Sequence, residues 1–308
     1  MKPLIVAMPG QRERATRIAE GIDGQLAAMT IRSFPDGETY VRFDTDPHRR
    51  DVVVVASLHR PDEKFLPLHF IAATGRELGA ESVGLVAPYL PYMRQDARFQ
   101  PGEAVTSRYF CQLVSDSFDW LVTVDPHLHR LDDLTGLFST PVHIVGAGEP
   151  IANWVEQHLE DPVLIGPDEE SRQWVSAVAD HGDMPMMVLQ KVRHGDFEVQ
   201  VTGCDEELID GRSPVLIDDI ISTGRTMIEA ASTLEQWQLS APVCVGIHGL
   251  FAADALSALR QAGIEQIVTS NSIDHPTNDI DITEVLINGV RRAMQPGASV
   301  TVASGQGS

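Results

Sequence analysis

Residues 218–226 read DDIISTGRT and combine two carboxylates, three hydroxyls and a glycine. Asp218 and Asp219, placed just before the turn, suit adjacent sugar hydroxyls or a hard cation, because an ionised carboxylate only accepts hydrogen bonds. Ser222, Thr223 and Thr226 add hydroxyl donors, and Gly224 lets the chain turn tightly. The run PVLI before the string reads as a buried strand, and the amphipathic stretch after it reads as a helix. At the carboxyl end of such a strand, turn amides and a helix N-terminus point at an incoming anion. The order of residues therefore describes a seat for a phosphate with a sugar or a cation beside it.

Other strings carry candidate groups. FPDGETYVRF places Phe34, Asp36, Gly37 and Glu38 in and around a turn that by itself needs no function. In Arg94-Gln95-Asp96, the arginine offers a planar fork for polyphosphate oxygens, or a flat cation to stack on a purine. TVDPHLHR sets His127 two positions after Asp125, with His129 competing in the same turn. Asp168 ends the strand-like IGPD. Lys191 and Arg193 alternate in LQKVRHG, which puts both on one face of a strand.

These groups need elements to hold them. Short β-branched runs recur: LIVAM near the start, DVVVVAS from 51, SVGLVAP from 82, WLVTVD from 120 and PVHIV from 141. Helical spacing over 65–79 and 103–115 separates several of them, and that alternation predicts a largely parallel sheet. The second half repeats the rhythm. PVLIGPD, PMMVLQKV, PVLIDD, PVCVGIHG and QIVTS read as strands, with helices opening near Ser171, Thr226 and Phe251. The expectation is an α/β protein of two similar domains, each a largely parallel sheet flanked by helices. Gly146, Gly148 and Pro150 punctuate the pattern, giving an N-terminal domain at 1–148 and a C-terminal one at 149–295. The last helix is free to cross back to the first half. Residues 296–308 are small and polar and read as a disordered tail.

Bulk properties bound the partners. Across 308 residues the net charge is −21, which repels a polyanion and argues against nucleic acid. A small anionic substrate is still admissible where basic residues gather or magnesium carries the charge. Pro9 and Gly10 interrupt the opening apolar run too early for a signal peptide, and no later run is long enough for a membrane span. Cys111, Cys204 and Cys244 are odd in number and far apart, so neither a disulfide framework nor a zinc motif is expected. A cytoplasmic location fits.

The string at 218–226 resembles the binding loop of the type I phosphoribosyltransferase fold, whose members hold the 5-phosphate of ribose on the turn and the sugar hydroxyls on the two aspartates. With the other motifs in the same order, the chain from Phe34 to Ile282 resembles the ribose-phosphate diphosphokinase family. The resemblance implies two phosphoribosyltransferase-type domains and transfer of the diphosphoryl group of ATP to ribose 5-phosphate, with magnesium. It makes Phe34, Asp36, Gly37 and Glu38 nucleotide contacts reaching in from a neighbouring subunit, joined by Arg94, Gln95 and Asp96. A homo-oligomer with its nucleotide site at a subunit interface follows. Asp218, Asp219, Ser222, Thr223, Gly224, Arg225 and Thr226 would hold ribose 5-phosphate. His127 and Asp168 would stand at the magnesium, and Lys191 and Arg193 would meet the transferring phosphoryl groups from a flap.

Two stretches depart from the family pattern. Glu169 and Glu170 stand where glycines are commoner, and Arg225 replaces a usual glycine. The arginine is expected in right-handed backbone, already entering the helix. Two alternatives compete with this reading. A catalytically silent nucleotide-binding relative should lose the basic pair or the loop, and this chain keeps both. A phosphoribosyltransferase acting on a nucleobase would not need FPDGE and the Arg94 triplet for ATP.

Overall fold

The computed structural model describes residues 1–128, 134, 136–194, 198–202 and 206–295, with backbone alone over 191–194, 198–202 and 206–207. His129, Cys204 and the segment 296–308 lie outside the described residues. The chain divides into two units. One is Met1–Val145 together with the helix opening at Thr283, and the other is Gly146–Ile282.

The first unit runs β1 (Leu4–Ala7), α1 (Arg12–Gly21), β2 (Gln25–Leu26), β3 (Met29–Ser33), β4 (Thr39–Phe43), β5 (Asp51–Val55), α2 (Asp62–Glu77), β6 (Ser82–Val86), α3 (Thr106–Ser117), β7 (Trp120–Val124) and β8 (Val142–Val145). Six strands form one sheet in the order β2-β1-β5-β6-β7-β8, every pair parallel. Val52, Val53, Val54 and Val55 are each 0% exposed. A central parallel strand is covered on both faces, which is why this one reads as an unbroken apolar run instead of an alternation. β3 and β4 stand apart as an antiparallel hairpin and do alternate. Met29, Ile31, Val41 and Phe43 pack against the core, so the residues between them face outward.

The second unit runs α4 (Gly148–His158), β9 (Pro162–Gly166), a single 3₁₀ turn (Glu169–Ser171), α5 (Arg172–Gly182), β10 (Met186–Val188), β11 (Gln190–His194), β12 (Glu198–Thr202), α6 (Glu206–Ile209), β13 (Ser213–Ile221), α7 (Arg225–Gln236), β14 (Val243–Gly249), α8 (Ala255–Gln261), β15 (Ile267–Ser270) and β16 (Asn278–Ile280). Its sheet has the order β10-β9-β13-β14-β15-β16, again parallel throughout. This repeats the first sheet position for position, with β9 matching β1 and β13 matching β5. The stretch PMMVLQKV, expected as one strand, divides: β10 stays in the sheet and β11 leaves it to pair with β12.

The final helix, α9 (Thr283–Ala293), belongs to the first unit, so the second closes at Ile282 and not at 295. Its approach to the first sheet is close. A Cβ on Gly289 would come within 2.7 Å of Val122 and 2.9 Å of Val145, so only glycine fits between α9 and the β7–β8 pair. Cys111 and Cys244 are buried free thiols. Among the described residues no helix is long and apolar enough to cross a membrane.

Candidate functional site

β13 carries Asp218 and Asp219 and runs two residues beyond them, so the acidic pair lies inside the strand and not just before the turn. The extension has a packing reason. Ile221 is 1% exposed in the unit's core, and parallel pairing with β14 persists to Ile221 opposite Gly249. The chain then turns through residues 222–224, and Gly224 takes φ +74°, the left-handed conformation that glycine adopts without strain. Arg225 opens α7 in right-handed backbone with its side chain exposed. Gly224 thus supplies the left-handed step, and the arginine is unstrained. No side chain caps α7, which leaves its first-turn N–H groups and positive dipole end to an anion. Ser222 and Thr226 are half-buried beside that opening, and Thr223 is exposed.

The carboxylates beneath the loop repel one another. Asp219 is buried and donates its N–H to Asp218 Oδ1 at 3.0 Å. Burial first, then the charges of Asp219 and Asp168, hold the Asp218 carboxyl well above the usual carboxylate range. Asp168 stands two residues beyond the end of β9 and caps the following 3₁₀ turn: its Oδ1 accepts from the amides of Glu170 at 3.1 Å and Ser171 at 3.2 Å. Neither bond uses Oδ2. Glu169 is engaged with Arg172 through both carboxylate oxygens, at 2.5 and 2.9 Å, so the acidic turn is partly neutralised locally.

An all-oxygen set strained by like charge suits a hard cation. Among the described residues no three His, Cys, Asp or Glu groups gather as a ready metal cage.

Lys191 and Arg193 lie on β11, opposite Val201 and Val199 of β12, in a two-stranded ribbon separate from the main sheet. Their side chains are outside the described set.

The remaining candidates belong to the first unit. Residues 34–38 close the β3–β4 hairpin: the Phe34 amide donates to Glu38 O at 2.7 Å, Gly37 N–H to Phe34 O at 2.9 Å, and Glu38 N–H to Asp36 Oδ1 at 3.2 Å. Two residues that sequence reasoning left out complete this tip. The Arg32 guanidinium lies 4.6 Å from the Phe34 ring centre and 4.4 Å from that of Tyr40. The signal was available, since Arg32 and Phe34 are two apart and the register sets Arg32 opposite Tyr40. Arg94 is exposed, whereas Gln95 is committed to the start of α3 through Thr106 Oγ1, which donates to its Oε1 at 3.0 Å. Asp96 is half-buried nearby in sequence. His127 is half-buried just after Asp125, a non-glycine residue at φ +32°.

The loop after β5 is the topological counterpart of the loop after β13. It is closed on itself, because the Lys64 ammonium donates to the carbonyls of Ser57 at 2.8 Å and His59 at 2.5 Å. The two matching strand ends have therefore diverged, and only the one after β5 is filled by an internal cation of this kind among the described residues.

Comparison with known proteins bears on both units. Residues 4–117 match the N-terminal domain of ribose phosphate pyrophosphokinase, and residues 144–281 match the phosphoribosyl transferase domain. A ribose-phosphate pyrophosphokinase of Methanopyrus kandleri is 35% identical over 279 residues, covering 89% of this chain and 94% of the relative. One from Halobacterium salinarum is 30% identical over 289 residues, covering 93% and 100%. The crystal structure of phosphoribosylpyrophosphate synthetase from Mycobacterium smegmatis has the same fold, with a TM-score of 0.82 at 24% identity over 95% of this chain and 99% of that one. Matched along nearly its whole length and in both units, the chain belongs to the ribose-phosphate pyrophosphokinase family.

Proposed function

We propose that the protein transfers the diphosphoryl group of ATP to the anomeric hydroxyl of ribose 5-phosphate, giving phosphoribosyl pyrophosphate and AMP. The observation that carries this is the uncapped start of α7 behind a left-handed Gly224, directly after a strand with two acidic residues. Amides and hydroxyls of residues 222–226 receive the 5-phosphate, with the Arg225 side chain pointing away to solvent. Asp218 and Asp219 accept hydrogen bonds from the ribose hydroxyls. Phe34, Asp36, Gly37 and Glu38, with Arg94, Gln95 and Asp96, take the nucleotide at an interface between copies of the chain.

The anomeric oxygen attacks the β-phosphorus as the bond from that phosphorus to the α,β-bridging oxygen breaks. AMP leaves with the bridging oxygen, and the hydroxyl proton passes to solvent, the sequence motifs supplying no general base. Lys191 and Arg193 stabilise the charge gathering on the migrating oxygens. Asp168 and His127 are the residues that would contact magnesium. The ion, when bound, would neutralise phosphate charge and relieve the repulsion at Asp218. Catalysis on this reading is positioning and charge stabilisation, with no covalent enzyme intermediate.

A coupled assay of AMP release, with magnesium and with ribose 5-phosphate present or omitted, tests this directly. AMP should appear only when the sugar phosphate is supplied. No turnover with any nucleoside triphosphate would overturn the reading in favour of a silent nucleotide-binding relative.

A further inference from the structure

The outward face of the β3–β4 hairpin holds an arrangement that the nucleotide motif does not account for. Arg32 and Tyr40 are directly opposed across the hairpin, and Phe34 follows Arg32 by two on the same side. The rings of Phe34 and Tyr40 stand edge to face, 5.8 Å between centroids and 83° between planes. The Arg32 guanidinium fills the corner between them, within cation–π range of both.

The chain has 44 acidic residues against 23 basic ones, so an arginine usually finds a carboxylate. Arg42 on the same face does, at 2.6 Å from Asp44. Arg32 has no acidic partner among the described residues, and its contacts are the two rings. Phe34 is still 37% exposed with this cation against it, so much of its ring is uncovered. An exposed phenylalanine beside a turn would otherwise rotate freely, and binding would have to order it. A guanidinium is planar and weakly hydrated, so it can hold a ring in one orientation without being drawn off into water.

We propose that Arg32 is a positioning residue for nucleotide binding. Wedged between Phe34 and Tyr40, it fixes the Phe34 ring so that the uncovered part of that ring is presented, already ordered, to a purine base. This rests on the reading that residues 34–38 contact the nucleotide, and the test separates the two claims.

The test compares Arg32→Leu, Arg32→Lys and Phe34→Ala by steady-state kinetics in both substrates and by thermal unfolding. Arg32→Leu should raise KM for ATP about fivefold, the scale of an exposed cation–π contact, with kcat, KM for ribose 5-phosphate and Tm unchanged. Arg32→Lys should recover part of that loss and not all of it, because an ammonium also sits on a ring face but is drawn more strongly into water. If Phe34→Ala raises KM for ATP while Arg32→Leu does not, the positioning role is wrong and the hairpin reading survives. An equal effect of Arg32→Leu on both substrates, or a lowered Tm, would mark Arg32 as merely structural and also overturn the role. Arg32→Lys behaving no better than Arg32→Leu would assign the effect to donors of the guanidinium and not to a cation holding a ring. Were Phe34→Ala itself without effect on ATP, the hairpin reading would fail and the proposal with it.

Discussion

A Cβ placed on Gly224 would stand 2.9 Å from Cγ of Leu259 on α8, so the turn after β13 has no room for a side chain at the position where the backbone is left-handed. Two independent constraints meet at one residue. Strain from a non-glycine residue in that conformation is about 1–2 kcal/mol, and the displaced leucine belongs to the second unit's core. Gly224→Ala should lower Tm and weaken ribose 5-phosphate binding by more than about tenfold, since the amides it aims would shift. Thermal unfolding and a binding titration check both halves.

Arg225 gives the contrasting case. It is exposed at the first position of α7, so removing its side chain takes nothing from the turn. Arg225→Gly should weaken ribose 5-phosphate binding by less than about tenfold, roughly 1.4 kcal/mol, with part of that from glycine's poor helix propensity. A much larger loss in the titration would identify the guanidinium as a direct phosphate clamp.

Lys191 should matter most where negative charge is greatest, on the migrating phosphoryl oxygens. Lys191→Ala is expected to lower kcat by about a hundredfold or more while ribose 5-phosphate binding changes little. Single-turnover and binding measurements on the same variant separate the two effects. A normal kcat would remove Lys191 from the chemistry.

His143 gives the first unit a pH dependence. It sits in β8 with 1% exposure, and neither ring nitrogen has a hydrogen-bond partner among the described residues. Burial, and secondarily Arg292 of α9, lower its pKa from 6.5. With the folded value depressed, the unfolded chain takes up the proton first. Stability is then complete above 6.5 and is lost as pH falls below it, by at most about 1.4 kcal/mol per pH unit. His143→Phe should flatten that decline in denaturant melts taken on either side of this pH. An unchanged slope would show that carboxylates alone set it.

The main strands were legible because each is a β-branched run ended by punctuation, as in Asp51–Val55 and Val243–Gly249. β2 has two residues and β16 only the polar Asn278–Ile280, too short and mixed for any periodicity. At the site, the amphipathic stretch after Gly224 foretold a right-handed Arg225. The repulsion on Asp218 was not readable, because Asp168 reaches it only through the pairing of β9 with β13. The capping role of Asp168 was written in Asp-Glu-Glu-Ser, an acidic residue three before a serine, although the family resemblance implied a cation contact alone.

The return of α9 to the first unit makes the second unit an insertion between Val145 and Thr283. During synthesis the first sheet leaves the ribosome early, but the helix that covers β7 and β8 is made only after the whole second unit has emerged. Val122 and Val145, which flank Gly289, must wait through that interval without their partner. The first unit is therefore the later one to finish folding although it is the first to begin. A chain ended after Val145 should expose this face and aggregate, and a peptide spanning 283–295 supplied in trans should rescue its solubility.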